Sequence, residues 1–579
     1  MDPARTNKGN SFAGREDVRE SSTPTEEDIA DAVKRMDAGL DGWGTETFEV
    51  AARGQLAQLG KLIASVDSID KMAIQRLATS EFASGPLRPN GLQPCFSDPC
   101  LTVYRSVSGQ ANARTERSLV DALRQLAEPF QGTSDVRVKF KIFNVVPGES
   151  LVTTVSYYQA TGRGVKGTVQ QSATWHCSWT PLSDGTAPRL VSIQVKDFEE
   201  VVSRNSQTGL FVDCTSSVLG ANLSYRQQML QGIDYWRQRL PRWMVVHYTG
   251  HHGLTIGDVN GDGLDDVYIC RPGGLPNRLF VQTETGTARD VSREAGVDWL
   301  DYSVSALLID LDNDGDQDLA IAAGWGVILM SNDGSGRFSK EATIPVFAGM
   351  NGMSAADYDL DGDLDLYVCG DGDQDQAPVP YHDANNGGRN FLLRNNGDWQ
   401  FEDVTEQAGL DTNNRRYSFA AAWEDYDGDG DMDLYVANDY GRNNLYQNDK
   451  GHFTDVAARA GVEDIAAGMS VDWADYKGDG RMDLYVSNMF SSAGNRVTYQ
   501  RQFKTGVSEK MRSQYRRHAR GNSLFENIGN GMFRDVSVET GVTMGRWAWG
   551  SNFLDVNNDG LEDIFVANGY ITQEDSEDL

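Results

Sequence analysis

A nine-residue loop rich in aspartate occurs six times in the C-terminal part of this 579-residue chain, and no other feature limits its fold as strongly. Each copy runs into a short apolar segment with the character of a buried strand. A unit repeated in this way predicts an array of similar small sheets. The copies, called loops 1 to 6 below, begin at Asp258, Asp310, Asp357, Asp425, Asp475 and Asp555.

A second pattern follows the loops and supplies further strands. It is clearest as Asn444-Leu445-Tyr446-Gln447-Asn448-Asp449 with Phe453-Thr454-Asp455-Val456, and it recurs around residues 401–404 and 533–536. The Asn, Asp and Gly clusters between these segments are typical of hairpin turns. Each repeat therefore predicts four short strands, which is the content of one β-propeller blade.

The repeated loop has the residue types of a metal site. Oxygen-bearing side chains stand at positions 1, 3, 5 and 9, and glycine at position 6 permits a sharp bend. Several hard oxygen ligands on a tight turn suit calcium better than zinc or copper. The predicted side-chain ligands are Asp258, Asn260, Asp262 and Asp266; Asp310, Asp312, Asp314 and Asp318; Asp357, Asp359, Asp361 and Asp365; Asp425, Asp427, Asp429 and Asp433; Asp475, Asp479 and Asp483; and Asp555, Asn557, Asp559 and Asp563.

Two alternatives compete with this interpretation. An EF-hand shares the start of the pattern, but it needs a bidentate Glu at position 12 and helices on both sides. Position 12 is apolar in all six copies, so position 9 is predicted to complete the site. Asp-rich turns without metal are the other alternative, and their carboxylates would repel one another.

Loop 5 differs from the others because Lys477 stands at position 3. An ammonium group has no lone pair to donate to calcium. We expect Lys477 to fold back among Asp475, Asp479 and Asp483, so that loop 5 binds calcium worst or not at all. The alternative is that Lys477 swings into solvent and leaves a weaker, occupied site.

The loops and the lead-in strand Gly468-Met469-Ser470-Val471-Asp472-Trp473-Ala474-Asp475 resemble the FG-GAP and VCBS repeats of integrin α-chain propellers and cartilage acidic protein-like proteins. The resemblance covers residues 254–579. It implies a calcium-binding β-propeller with six to seven blades, several ions per chain, and a further ligand from the carbonyl at position 7. Carried over here, those carbonyls belong to Leu264, Asp316, Asp363, Asp431 and Leu561.

The chain departs from that family at its C-terminal end. The usual ASPIC-type domain is absent, and the sequence stops at Leu579, soon after the second strand of the sixth repeat. An unfinished blade would expose a sheet edge. We therefore expect that other strands complete it, with segment 243–248 as one candidate, or that the sequence is part of a longer protein.

Residues before the repeats predict a different kind of domain. Residues 1–24 are polar without periodicity and are predicted to be disordered. Amphipathic helices are followed by strands, which predicts an α+β domain over residues 25–215 and a helical connector over 216–250 before the propeller at 251–579. The order of elements loosely resembles the cone-shaped nuclear transport factor-type fold, whose members have too many functions to assign one. The helices are expected from Thr25 and near 45–65, 67–80, 114–128 and 222–240, and the strands near 136–146, 151–160, 168–180 and 189–197.

The net charge and the absence of targeting signals in the sequence limit the possible functions and locations. With 84 acidic and 52 basic residues, the net charge is −32, which excludes a generic nucleic-acid binder and disfavours an anionic membrane surface. No apolar run is long enough for a transmembrane helix, and no signal peptide is visible. Loops of this kind suit millimolar calcium, which indicates an extracellular or periplasmic location.

Two long insertions fall between the second and third strands of their repeats, opposite the loops. The insertion at 489–521 is basic, and Arg512, Arg516 and Arg517 are candidates for holding an anionic glycan, a phosphate or an acidic partner. The alternative is that these arginines neutralise neighbouring acidic loops. The insertion at 370–390 carries Asp371, Asp373, Asp375 and Tyr381-His382-Asp383, for which a solvated acidic loop is favoured over another metal site. The histidines at 247, 251 and 252 are expected to be ordinary surface or core residues.

These features favour a non-catalytic recognition or adhesion protein whose face opposite the loops binds protein or carbohydrate. The alternative is a calcium-dependent polysaccharide lyase or hydrolase acting on that face. No nucleophile elbow, HExxH motif or phosphate loop is present, and the clustered carboxylates are assigned to calcium.

Overall fold

A computed structural model describes residues 43–65, 71–106, 118–164, 167–183, 186–203, 211–241, 252–346, 349–372 and 377–569. The predictions for residues 1–24, Thr25, 243–248, His247, His251, Asp373 and Asp375 lie outside these ranges. The chain divides into two compact units, which are described separately. Their bounds are Met1–Gln93, Tyr104–Gly164 and Val169–Glu200 for the first, and Pro94–Val103, Val165–Thr168 and Val201–Leu579 for the second.

The N-terminal region packs helices against a seven-stranded mixed sheet. Helix α1 places Phe48, Ala52, Leu56, Leu59 and Ile63 in the core at the spacing of one helical face. The sheet has the order β2-β3-β7-β6-β5-β4, and β1 pairs with β7 in parallel. The elements are α1 Gly44–Ala64, α2 Lys71–Leu77, β1 Ala78–Ser84, β2 Leu92–Ser97, β3 Leu101–Ser106, α3 Leu119–Ala127, β4 Ser134–Pro147, β5 Val152–Gly164, β6 Gly167–Trp179 and β7 Leu190–Ser203.

This arrangement confirms an N-terminal α+β region and the four long strands expected there. The helix expected over 67–80 is wrong at its C-terminal end, because Ala78 already begins β1. Burial in β1 alternates only in part, so the segment has no clear two-residue period that would have revealed a strand. The domain bounds and the nuclear transport factor-type fold stay predictions.

The second unit contains repeated antiparallel sheets, as expected. Sheets 1 to 5 each have four strands, and sheet 6 has two among the described residues. The strands are β8 Leu254–Gly257, β9 Asp266–Ile269, β10 Arg278–Gln282 and β11 Ala288–Asp290; β12 Ser303–Ile309, β13 Asp318–Ala323, β14 Gly326–Asn332 and β15 Phe338–Pro345; β16 Met350–Ala356, β17 Asp365–Gly370, β18 Phe391–Asn395 and β19 Phe401–Asp403; β20 Ser418–Glu424, β21 Asp433–Asn438, β23 Asn444–Asp449 and β24 His452–Asp455; β26 Gly468–Ala474, β27 Asp483–Asn488, β28 Ser523–Gly529 and β29 Met532–Asp535; and β30 Ala548–Leu554 with β31 Asp563–Asn568. A further small pair joins β22 Gly441–Arg442 to β25 Ile465–Ala466.

The sheets follow one another in chain order through their first strands, since β8, β12, β16, β20, β26 and β30 each contact the next. The second strand of sheets 2 to 5 is buried along its whole length, which places the core between neighbouring sheets. Within the part of the chain that the structure describes, no strand pair joins sheet 1 to sheet 6. Closure of the array into a propeller therefore stays a prediction.

The segment before sheet 1 is not the single helix expected over 222–240. It forms short helical segments at Thr215–Leu219 (α4), Tyr225–Met229 (a π-helix) and Ile233–Arg237 (α5). Gly232 adopts an extended backbone between the last two, with φ −67° and ψ 168°, so the helix cannot continue through it. Among the described residues, no helix is long and apolar enough to cross a bilayer.

The basic insertion folds into two helices between β27 and β28, namely α7 Ser492–Thr498 and α8 Glu509–Ala519. Sheet 4 is followed by the short helix α6 Ala457–Ala460. The predicted place of both insertions, after the second strand of sheets 3 and 5, is confirmed.

Candidate metal centres

Each of the six loops joins the first and second strands of its sheet, and the same turn recurs in every copy. The N–H of the glycine at position 6 donates to the position 1 carboxylate over 2.6 to 3.0 Å. That glycine has φ between +82° and +96°, a left-handed conformation that explains its presence in all six copies. Strands flank every loop, which excludes an EF-hand.

In loops 1 to 5 the aspartate at position 9 is buried and fixes the loop to its sheet, whereas Asp563 of loop 6 is half-buried. In loop 2, Asp318 is fully buried and accepts the N–H groups of Leu311, at position 2, and Asn332, on the third strand, both over 2.9 Å. Burial raises the pKa of Asp365 to about 7 in loop 3, although the N–H groups of Asn395 and Tyr358 favour the charged form. Burial likewise raises the pKa of Asp433 to about 8 in loop 4, where neighbouring aspartates add to the effect.

Three loops bring carboxylate oxygens within 4.8 Å of one another, and each of these groups is able to hold a metal ion. Some of their oxygens are buried without any hydrogen-bond donor, and these are Asp310 Oδ1, Asp359 Oδ1, Asp427 Oδ1 and Asp433 Oδ2. A buried carboxylate oxygen without a donor is unfavourable unless a cation compensates it. The donor set therefore fits a hard divalent ion. The three groups are Asp310, Asp312 and Asp318; Asp357, Asp359 and Asp361; and Asp425, Asp427 and Asp433.

Loops 1 and 6 share a variant of this geometry, with asparagine at position 3. Asn260 donates to Asp262 Oδ2 over 3.1 Å and accepts the Asp262 N–H over 3.0 Å. Asn557 and Asp559 repeat both bonds at 3.0 Å. The asparagine lowers the negative charge of these two loops while keeping an oxygen at position 3.

Loop 5 carries two cations of its own. The Lys477 ammonium donates to Glu526 on the third strand and lies 3.6 Å from Asp479 Oδ2, which also accepts from Arg481 over 2.6 Å. Of the three aspartates among which Lys477 was expected to fold, it therefore reaches Asp479, and its main partner is Glu526 instead. Hydrogen bonding to Glu526 raises the pKa of Lys477, so the ammonium stays charged.

Four asparagines on the third strands were not anticipated from the sequence, and we call them the latch asparagines. Each is at most 3% exposed, and its side chain donates to the position 2 carbonyl of the loop in the preceding sheet. The bonds run from Asn332 to Val259, from Asn395 to Leu311, from Asn448 to Tyr358 and from Asn527 to Tyr426, over 2.8 to 3.0 Å. In the sequence, their signal was the asparagine near the end of the second repeated pattern, which is Asn448 in its clearest copy.

The arginines proposed as ligand residues have different surroundings. Arg517 donates to Asp464 over 2.7 Å and also to Asp535, and Arg516 donates to Glu509 over 2.6 Å. Arg512 Nε is buried without a partner. Internal charge balance, the alternative weighed above, therefore accounts for Arg516 and Arg517, and an anionic ligand at this cluster stays a prediction.

In the other insertion, Asp383 lies between two arginines. Asp383 accepts from Arg416 over 2.9 Å and from Arg442 over 3.1 Å, so its carboxylate is already compensated. Its neighbour His382 is buried against the ring of Tyr515, 4.6 Å away between centroids. A metal site at Tyr381-His382-Asp383 gains no support, and His252 lies 3.2 Å from the Ser303 carbonyl, as expected for an ordinary histidine.

Comparisons with known proteins match the repeats. The model of the FG-GAP-like repeat matches residues 258–321, 310–368, 370–436, 425–486 and 515–566. Cartilage acidic protein 1 of Homo sapiens is 26% identical over 204 residues, which are 33% of this chain and 29% of that protein. The Xenopus tropicalis protein is 25% identical over 200 residues with the same shares. The match thus spans less than a third of the relatives' length.

Solved structures add only distant similarity. An Agrocybe aegerita lectin, described as recognising non-reducing terminal N-acetylglucosamine, is 19% identical over 54% of this chain and 73% of its own, with a TM-score of 0.31. A conserved protein from Planctomyces limnophilus aligns with 27% of this chain at 10% identity and a TM-score of 0.19. Scores this low carry no argument about fold or ligand. On the repeat matches and the six equivalent loops, the chain is an FG-GAP repeat protein.

Proposed function

We propose that the FG-GAP repeats bind calcium in loops 1, 2, 3, 4 and 6, and that the array is a β-propeller acting as a non-catalytic recognition or adhesion module. The observation that carries the calcium proposal is Asp433, which is 1% exposed and has Oδ2 without a donor beside Asp425 and Asp427. In loop 4 the ion would be held by Asp425, Asp427, Asp429 and Asp433, with the Asp431 carbonyl. Corresponding residues serve in the other loops.

Bound calcium supplies the positive charge that these clustered carboxylates lack. The chain's own residues set the turn beforehand, since the glycine N–H and the position 1 carboxylate already bond in every loop. Loops of this kind suit millimolar calcium, so we propose an extracellular or periplasmic location. Rigid sheets would then present the insertions after β17 and β27 to a protein or carbohydrate, because binding residues concentrate on loops carried by a rigid scaffold.

Counting bound ions tests the metal proposal. Native mass spectrometry with calcium is expected to show five ions per chain. The change Asp266→Asn removes a buried position 9 ligand of loop 1 and is expected to leave four. The matched control Asp265→Asn alters the exposed neighbour at position 8 and is expected to keep five. Equal counts in both variants would contradict the ligand assignment.

A glycan array with a reducing-end assay on every bound sugar tests the recognition proposal. Binding without new reducing ends is the expected result. Release of reducing ends from a bound polysaccharide would instead support a calcium-dependent lyase or hydrolase.

A further inference from the structure

We propose that the latch asparagines couple cation binding in neighbouring loops, so that a filled loop favours filling of the loop in the preceding sheet. The inference rests on the proposed cation binding and adds that the sites are not independent. It concerns Asn332, Asn395 and Asn448, which join loops 1 to 4 in sequence. Asn527 repeats the bond between sheets 5 and 4, but loop 5 is proposed to hold no ion, so this copy couples no second site.

The bonds of Asn448 show how one residue reaches two loops. Its backbone N–H donates to Asp433 Oδ1 over 2.7 Å, and its side chain donates to the Met432 carbonyl over 3.0 Å, both in loop 4. The same amide nitrogen donates to the Tyr358 carbonyl of loop 3 over 2.8 Å. Its oxygen accepts the Gly451 N–H over 2.8 Å, and the residue is fully buried.

The anchor in loop 3 lies between two proposed ligands, since Tyr358 stands between Asp357 and Asp359. The anchor in loop 4 is the position 9 ligand itself. A buried amide with every donor and acceptor engaged cannot lose one partner without an unfavourable unpaired group. Displacement of Asp433 in an empty loop 4 is therefore transmitted to the backbone that positions Asp357 and Asp359.

The other latches repeat this pattern. Asn332, Asn395 and Asn527 each donate a backbone N–H to the position 9 aspartate of their own sheet, over 2.7 to 2.9 Å. Each also donates to the position 8 carbonyl of its own loop over 3.0 to 3.4 Å. The same bridge therefore recurs at the same position of successive repeats. Such contacts between neighbouring repeats are what couples their stabilities in a repeat protein.

The array of latches has two ends. In sheet 1, Gln282 keeps the backbone bond to Asp266 over 2.8 Å, but no sheet precedes it within the repeats. Sheet 6 offers no third-strand asparagine among the described residues, so loop 5 receives no such bond from it. Loop 6 is therefore expected to bind independently of loops 1 to 4.

Hydrogen exchange read by mass spectrometry tests the coupling, because it follows each loop separately during a calcium titration. Loop 4 is disabled with Asp425→Asn and Asp429→Asn, and the calcium midpoint for protection of loop 3 is measured. We expect that midpoint to rise about five-fold or more, the lower range for coupled sites. The midpoint for loop 6 is expected to stay unchanged.

The latch is then tested by repeating the comparison with Asn448→Ala. Without the bond to Tyr358, disabling loop 4 is expected to shift the loop 3 midpoint no further. The control Asn396→Ala removes an exposed amide from the equivalent hairpin of sheet 3 and is expected to preserve the full shift.

Three outcomes separate the claims. If calcium protects no loop in the unchanged protein, the proposed calcium binding fails. If loops 3 and 4 are both protected but disabling loop 4 leaves the loop 3 midpoint in place, the coupling is wrong while calcium binding stands. If the shift persists in Asn448→Ala, the coupling does not pass through this residue. The first comparison needs no change at a buried asparagine, so a poorly folding latch variant does not prevent a decision.

Discussion

Replacing Arg517 with alanine is expected to destabilise the second unit, although this residue belongs to the cluster first considered for ligand binding. The guanidinium donates to Asp464 over 2.7 Å, to Asp535, and to Ser523 over 3.2 Å, and so fixes α8 to sheet 5. Asp464 is fully buried, and without Arg517 it keeps one side-chain donor, Asn488, at 3.1 Å.

The size of the effect depends on the carboxylates that lose their partner in Arg517→Ala. Removing one partner of a buried ion pair costs about 3–5 kcal/mol. The arginine side chain is 21% exposed and Asp535 keeps Arg520 at 2.8 Å, so the lower value, about 3 kcal/mol, applies. At about 2 °C per kcal/mol for a large domain, the melting temperature should fall by roughly 6 °C.

The control is Arg516→Ala, since Arg516 pairs with Glu509, which is 67% exposed. A pair with one exposed partner contributes about 0–1 kcal/mol, and the position of the Arg516 guanidinium over the Tyr499 ring adds about 0.5–1 kcal/mol, so calorimetry should show a smaller shift than for Arg517→Ala. Equal shifts for the two variants would refute the assignment of Arg517 to the interior.

The difference between wild type and Arg517→Ala should depend on pH. Burial alone would raise the pKa of Asp535, but the charge of Arg517 and hydrogen bonds from Arg520 and Ser537 outweigh it and hold that pKa well below its usual range. A carboxyl group with a lowered folded-state pKa stabilises the fold above its unfolded pKa of about 3.9, and this stabilisation is lost as pH falls further. The difference in unfolding free energy between wild type and Arg517→Ala should therefore be largest at neutral pH and become smaller below about pH 4.

Three further results are expected. Lys477→Asp should add one calcium ion per chain by native mass spectrometry, and an unchanged count would show that the lysine does not close loop 5. Glu200→Gln should lower the stability of the first unit by about 3 kcal/mol in chemical denaturation, because Glu200 is 4% exposed and holds Arg88 through two bonds of 2.7 and 2.8 Å; no change would contradict this. If an anionic ligand binds at the basic insertion, replacing Arg512 with alanine should weaken binding and flatten its salt dependence, whereas an unchanged affinity would exclude Arg512 from the binding site.

The loops and strands of the repeats could be predicted because their signals are local. Position 6 needs a left-handed glycine, and the continuous apolar run after position 9 is typical of a strand buried on both faces. The shortened helix α2 and the broken connector were harder, since a partial apolar pattern at 67–80 continues into β1 and Gly232 interrupts an otherwise helical segment.

The remaining features depend on partners far apart in the chain. Asn448 meets a carbonyl 90 residues away, and Arg517 meets an aspartate 53 residues away. From composition, the arginines of the basic insertion formed one positive surface. The structure divides them, because the neighbours Arg516 and Arg517 on α8 reach different partners. Arg516 pairs with Glu509 on the same helix, whereas Arg517 pairs with Asp464 and Asp535.

Calorimetry with calcium and with chelator tests the central claim most directly, since ligand binding to the folded state raises its stability. The account predicts that calcium raises the melting temperature of the second unit and leaves that of the first unchanged, because the described carboxylate groups able to hold a metal ion all lie in the second. Two transitions that are insensitive to calcium, or an equal shift of both, would contradict it.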